Sequence, residues 1–592
     1  MKNSTFHRSL LAAFCLIFLG GASSAAVAGP ATPPDSFWFP RQKAPQEVVT
    51  CSFQTKNIPE HMLAESLSGL AAQSVNDGTG TEMIWLKGGP PDYLTWYSMI
   101  CKRFGLQDDG EAYVWDLVKK FADAGVVKGY VLFDEDTSEG ALYELRQNMN
   151  TSSNTATVLA SILKGVMVER KLETRAQQLG LKKLADAATM TNEECFEKYK
   201  DQLNNNMVLA VDPKVGENRD IAIAQRAMTI YGLGPFEEKV MEWVAPLAPV
   251  LGWNGGGESE HTGLATRWAH FNTASNWAMN LPLLSAESWD MKIDKASSVD
   301  PRKIDYGDKR SCHSFIMTDG DNLQWMCRNF IFNPNFWANP YATSIPMSWT
   351  ANPCNLSMAN PYAWNTLVKG QKTMALSEYG GGYEYPDIFA KDRPDREQLL
   401  REFARRINEH LKQTGVKVFG FITAENRWSD DAKFAYKIFA EEMDGIIGMF
   451  AVQYNPYQDS KGDIFWVRNR QGVEIPVIAP KFNVWASGKT KGTMANPQII
   501  AGLINRDAAE GQNFNFSIVH AWSWYSQDAD GNVADAGFHG DKSKGDQTGV
   551  TPVEWCKKKL NKNVMVVPLD ELIWRIRMQH DPVATKKLLN LK

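Results

Sequence analysis

The sequence predicts an α/β protein whose C-terminal part is a (β/α)8, TIM-like barrel, preceded by an α/β N-terminal region of small subdomains. Two observations predict it. Eight short apolar runs recur between Ser314 and Leu569 with helix-like stretches between them. From Ser314 to the last residue these units take up roughly 280 residues, the length that eight strand–helix units need. Several of these runs end in acids, amides and tryptophans, the kinds of residue that collect at the C-terminal ends of barrel strands. A doubly wound open sheet is the competing architecture for the same alternation.

The first 28 residues read as a cleavable secretory signal. Lys2 and Arg8 form a basic start, Leu10 to Leu19 a short apolar core, and Ala26-Val27-Ala28 a small-residue cleavage site. The core is too short to span a bilayer, and no later apolar run reaches spanning length. The expected location is therefore secreted or periplasmic, with no membrane span. Residues 29–44 are rich in Pro and Ala and read as a linker.

Residues 45–250 mix short strands and helices. Met83 to Leu86, Tyr130 to Phe133 and Met207 to Val211 are apolar runs before turn residues, so strands are expected there. Thr155 to Lys164, Met190 to Leu203 and Asp220 to Tyr231 carry helical patterns. A short strand at Val250-Leu251-Gly252-Trp253 is a candidate to join the barrel. The barrel is placed over 251–592, with strands at 314–319, 346–350, 374–378, 418–424, 446–452, 475–480, 516–523 and 564–569. Arg396 to Lys412 and Asp431 to Met443 are amphipathic helices between strands.

The formal net charge is −5, falling by two to −7 when Lys2 and Arg8 are removed, which argues against a nucleic-acid partner. Seven cysteines follow the signal, widely spaced and without C-x-x-C pairs. That pattern is neither a disulfide framework nor a zinc site; Cys51 with Cys101 is the one pairing suggested. The chain holds 20 tryptophans. Aromatic faces stack on the C–H faces of sugar rings, and those that sit beside polar residues at strand ends, such as Trp253, Trp325, Trp349, Trp428, Trp485, Trp522 and Trp524, suit a carbohydrate cleft. The competing reading makes them core.

Candidate chemistry gathers at the predicted strand ends. Ser314 to Thr318 leads to Asp319 and Asp321. Met374 to Leu376 leads to Glu378 and then Glu384 and Asp387. Phe419 to Ala424 leads to Glu425, Asn426 and Trp428, and Ser517 to Val519 leads to His520, Trp522 and Trp524. Hydrolysis of a glycoside needs this set: one protonated carboxyl for the leaving oxygen and a second carboxylate as nucleophile or base. Asp321 and Glu425 are the preferred pair, with Asp319 either catalytic or holding the turn. Glu425 ends an apolar strand, where a lone carboxylate is costly; its alternative is a salt bridge. Other chemistries lack their motifs. There is no G-x-S-x-G elbow, phosphate loop or H-E-x-x-H pair. The ninth residue after Asp321 is Phe330, which rules out an EF-hand. No cofactor and no metal is expected.

The run Gly380-Gly381-Gly382-Tyr383-Glu384-Tyr385-Pro386 permits positive φ and close backbone approach before two tyrosines and an acid. It resembles the signature loop of the GxGYxYP family, a group of secreted bacterial proteins whose assignment as glycoside hydrolases rests on fold and context. Asp319-Gly320-Asp321-Asn322-Leu323-Gln324-Trp325 resembles the family's D-G-D-N-x-Q-W segment. Leu251-Gly252-Trp253 with Glu258 and Glu260 resembles its G-W…E segment, and Asn276 to Leu281 its W-A-x-N-L segment. Glu378-Tyr379 stands where family members carry a small residue.

The resemblance implies a barrel and a carbohydrate-active, exported hydrolase acting on an oligo- or polysaccharide. Asn322, Gln324, Trp325, Tyr383, Glu384, Asn426, Trp428, His520, Trp524 and Glu260 are the candidate sugar-binding residues. A non-catalytic glycan-binding protein on the same scaffold is the alternative.

Overall fold

The computed structural model describes residues 37–591 apart from 287, 289, 372–373, 455–460, 487–491 and 538–544. The predicted signal and the first half of the 29–44 linker lie outside them. The linker's second half is packed rather than loose. Trp38 and Phe39 are buried, and the Trp38 indole donates to Asn355 Oδ1 at 2.6 Å.

Three small parallel sheets make up the N-terminal region. Strands Glu47–Ser52, Glu82–Leu86 and Asp108–Tyr113 form one, and Gly129–Phe133, Gly165–Glu169 and Lys183–Asp186 a second. The third has four strands, Phe271–Thr273, Pro249–Gly252, Asn204–Ala210 and Ala227–Ile230 in spatial order. The strand expected at 250–253 thus joins this sheet and not the large one.

The helix expected over 220–231 is shorter. Arg226, at φ +54°, caps the helix Arg219–Gln225, and the Met-Thr-Ile run after it pairs with Asn204–Ala210 as a strand. A residue in the left-handed region ends a helix, and the β-branched residues beyond it favour a strand. The suggested Cys51–Cys101 bridge is absent; all seven described cysteines are free thiols.

All eight strands expected in the C-terminal part form, within one sheet of 11 strands. In chain order these are β1 (Ser311–Met317), β2 (Ser348–Thr350), β3 (Ala375–Tyr379), β4 (Val418–Thr423), β5 (Gly448–Gln453), β6 (Ile464–Arg468), β7 (Glu474–Ile478), β8 (Phe482–Val484), β9 (Met494–Ala495), β10 (Phe514–Val519) and β11 (Val564–Val566). The spatial order is β6-β7-β5-β4-β3-β2-β1-β10-β8-β9, with β11 also on β1. All neighbours are parallel except β6 and β7.

The sheet is strongly curled. Phe450 on β5 and Phe516 on β10 are five strand positions apart, about 24 Å in a flat sheet at the usual spacing, yet their ring centroids lie 6.1 Å apart. The hollow is filled by Ile316, Tyr379, Ile422, Phe450 and Phe516. The hydrogen-bond ladder is a half-barrel and not the expected ring of eight. β6 runs antiparallel on β7, and β11 pairs with β1 beside β10. Chain continuity takes the sheet round instead, because β7 and β8 flank opposite ends of the ladder and follow each other in sequence.

The helix Leu569–His580 closes the end where the strands begin. Leu569 N–H donates to Ser348 Oγ at 2.8 Å, and the Arg577 guanidinium to the Ile447 carbonyl at 2.9 Å. The strands' C-terminal ends are left to shape a cavity. No helix among the described residues is long and apolar enough to cross a membrane.

Candidate functional site

A cavity of about 850 Å³ opens at the C-terminal ends of β1, β3, β4 and β10. Its acids come from two places. β1 delivers Asp319 and Asp321 through a turn that its sequence dictates. Asp319 takes φ +64°, a region Asp tolerates better than most residues. Gly320 then presses against β2: its N–H donates to Thr350 Oγ1 at 2.9 Å, and a Cβ there would lie 1.8 Å from the Thr350 carbonyl. The Asn352 amide holds the Asp321 carbonyl at 3.0 Å. Asn322 caps the next helix, α1 (Leu323–Arg328), by accepting from Trp325 N–H.

The third acid is Glu258, at the start of α2 (Glu258–Arg267). It is held by the glycine loop, since the Tyr383 hydroxyl donates to Glu258 Oε1. All three glycines of that loop have positive φ, and side chains on Gly381 and Gly382 would strike Ile407 and Phe271. Tyr383 N–H and carbonyl pair with Asn272 at 2.7 and 2.8 Å, tying the loop to the four-stranded sheet. Glu378 is the loop's internal anchor. Its carboxylate accepts from the backbone N–H groups of Cys354, Tyr379 and Gly381 at 2.8, 2.8 and 3.2 Å.

The charge of Glu258 acts on both aspartates, and that of Asp319 on Asp321. Enclosure by protein raises Asp319 to about 7, and the charge of Glu258 adds to the rise. A third of the Asp319 side chain still faces the cavity, and its Oδ2, 4.0 Å from His520 Nε2, has no hydrogen-bond partner. Asp321 is held well above the usual carboxylate range by burial, then by Asp319 and Glu258. Enclosure raises Glu258 too, while the Tyr383 hydroxyl opposes the rise, as does the positive end of α2. The Tyr379 hydroxyl stands among them, held up by burial and by all three charges. At neutral pH such a set shares protons: Asp321 is the group best kept protonated, and Glu258 the one best kept ionised.

Of the residues expected from sequence, Asp319, Asp321, Asn322, Gln324, Tyr383, His520 and Trp524 line this cavity. The rest do not line it. Glu425 and Asn426 are exposed on a turn whose backbone N–H groups at Ala424 and Glu425 donate to Asp387 at 2.9 and 3.0 Å. Trp325 is 5% exposed and packs among Phe330, Phe336 and Trp522. Trp428 lies on Tyr436 and Phe465. Glu384 is fully buried, and Glu260 accepts from Gly257 N–H at 2.8 Å as the cap of α2.

Sequence reasoning did not single out Glu258 or Trp277 as site residues. Trp277 is 45% exposed at the cavity, where its indole donates to the Tyr143 hydroxyl. Its backbone N–H donates to Gln324 Oε1 at 2.5 Å. Both residues lie in segments that carried the family resemblance, and that was the available signal. The floor also carries Trp485, stacked on His520 at 3.8 Å and 9°. Trp253 stacks on Tyr383 at 6.3 Å and 5°. Among the described residues lining the cavity there is no Lys or Arg. Among the described residues no group of three or more His, Cys, Asp or Glu side chains is arranged to hold a metal ion.

A solved structure, a putative hydrolase from Bacteroides thetaiotaomicron VPI-5482, has the same fold, with a TM-score of 0.74 at 18% identity over 93% of this chain and 98% of that one. No curated protein matches the chain. Residues 312–533 match the profile of the GxGYxYP putative glycoside hydrolase C-terminal domain. These residues, which hold the D-G-D turn and the glycine loop, are the part of the chain that is similar to the GxGYxYP family.

Proposed function

We propose that this protein is an exported glycoside hydrolase acting on a neutral oligo- or polysaccharide in the cavity at the strand ends. One observation carries the reading: three carboxyls raised above their usual range face a cavity walled by tryptophan, tyrosine and amide side chains, with no Lys or Arg among the described lining residues. Aromatic faces take the C–H faces of sugar rings, and Asn322, Gln324 and Asn276 offer hydrogen bonds to hydroxyls. The basic start and small-residue cleavage site of the first 28 residues support export. The curled sheet serves here as a TIM-like scaffold, with the site at the strands' C-terminal ends.

In this reading Asp321, kept protonated, donates its proton to the glycosidic oxygen as the bond to the anomeric carbon breaks. Glu258, kept ionised by Tyr383, attacks that carbon or draws a proton from the attacking water. Asp319 holds the proton balance between them and is reached by His520. Glu425 is the alternative partner for Asp321, although it lies on an exposed turn. Turnover of a panel of aryl glycosides by the intact protein and by Asp321→Asn, Glu258→Gln and Glu425→Gln tests the assignment. Loss in the first two with retention in the third supports it. Full activity in Asp321→Asn and Glu258→Gln, with native melting, overturns it. Sugar binding without cleavage by the unaltered protein makes it a glycan-binding protein instead.

A further inference from the structure

Beside the carboxyl cavity lies a second one of about 570 Å³, within the usual size of small-molecule sites. Two chain segments run through both. Asn335 lines both cavities, and Gln547, which lines the second, precedes Thr548, which lines the first. These segments are bound together: Val550 N–H donates to the Asn335 carbonyl at 2.9 Å, and the Asn339 amide to Thr551 Oγ1 at 3.2 Å. The second cavity therefore has a fixed position relative to the acids.

Its chemistry repeats that of the first cavity without the paired acids. Tyr341, 38% exposed, and Trp555, half-buried, provide aromatic surface. The Lys558 ammonium lies 5.3 Å from the centre of the Tyr341 ring and steadies it. Asn335, Asn339, Gln527 and Gln547 offer neutral amide donors and acceptors, and Asp546 is the one charged residue among the described residues lining it. Amides with aromatic faces suit sugar hydroxyls and C–H faces, and an acid in the lining disfavours anionic sugars.

We infer that the two cavities form one groove, in which the Tyr341–Trp555 cavity is a subsite for further units of a neutral glycan chain whose scissile end sits at the carboxyls. The substrate class is then a chain of several units rather than a mono- or disaccharide. This inference rests on the reading of the first cavity as a sugar site.

The test is titration calorimetry of the full protein with cello-, xylo-, manno- and malto-oligosaccharides of two to six units, in an Asp321→Asn background that prevents turnover. The expected result is affinity that rises about tenfold or more with length in at least one series. Trp555→Ala and Tyr341→Ala should each remove about tenfold from the longer ligands while leaving the disaccharide within twofold and the melting temperature unchanged. Length-independent binding, or a length gain that survives in both variants, overturns the subsite and leaves the first cavity's reading standing. No binding in any series overturns both. If Trp555→Ala fails to fold, Tyr341→Ala decides.

Discussion

The turns after β1 and β4 are made of the same kinds of residue but face different surroundings. Each follows an apolar strand, and each offers an acid, an asparagine and a tryptophan within a few positions: Asp321, Asn322 and Trp325 in one, Glu425, Asn426 and Trp428 in the other. After β1, the left-handed Asp319 and the close-packed Gly320 turn both aspartates to the cavity. After β4, Asp387 takes the backbone N–H groups of Ala424 and Glu425, and Thr423 Oγ1 donates to the Glu425 carbonyl at 3.0 Å. The turn is satisfied through its backbone, and the Glu425 and Asn426 side chains project to solvent. Shared position on a rim does not give shared direction; the backbone's hydrogen-bond partners do.

The contrast is broken most directly through catalysis. Asp321→Asn should lower turnover about 100- to 10,000-fold, whereas Glu425→Gln should stay within about twofold, both with native melting. Equal losses in steady-state assays on aryl glycosides would erase the distinction between the turns. Next in size is the backbone. Gly320→Ala forces a Cβ into the Thr350 carbonyl and should destabilise the fold by about 2–3 kcal/mol. Asn426→Ala, which removes only the acceptor for Trp428 N–H at 2.8 Å, should cost about 0.5–1 kcal/mol; urea unfolding separates the two.

The aromatics sharpen the contrast further. Trp277→Ala should weaken binding of a cognate oligosaccharide by about 1–3 kcal/mol without lowering the melting temperature. Trp428→Ala should do the reverse, because that ring packs on Tyr436 and Phe465. Unchanged affinity in Trp277→Ala would remove it as a stacking platform.

The smallest effect is on pH. Asp319 binds its proton more tightly folded, at about 7, than unfolded, at about 3.9. Between these values the native state holds more proton than the unfolded one, so the group's contribution to stability falls as pH rises from about 4 to 7. Asp319→Asn should flatten that slope and raise stability at pH 8, by less than about 1 kcal/mol because cavity water screens the charge. A slope that is unchanged in thermal melts from pH 4 to 8 counts against the raised value.

Much of the fold was legible because parallel strands buried on both faces read as apolar runs. All eight expected C-terminal strands form, and the helices at 396–414 and 430–442 lie where their periodicity put them. The site was legible where a motif forces a backbone shape. Asp319-Gly320-Asp321 and the glycine run each need positions that few other residues allow, and both reach the cavity. Glu260 and Glu384 were less readable, because an acid near a glycine loop can cap a helix, sit buried or face a ligand with the same local sequence.

The sequence alone determined the order of strands and helices, the family signature and the stock of acids, amides and aromatics at the strand ends, because periodicity and turn chemistry are local. Only the tertiary structure decided that the sheet curls into a half-barrel with β6 antiparallel on β7, that Glu258 joins the two aspartates, and that Glu425 does not line the cavity. Those outcomes depend on contacts between residues far apart in the chain: Tyr383 on Glu258, Gly320 on Thr350 and Asp387 on the turn after β4. The direction of a side chain at a strand end is set by such partners, and no local pattern encodes them.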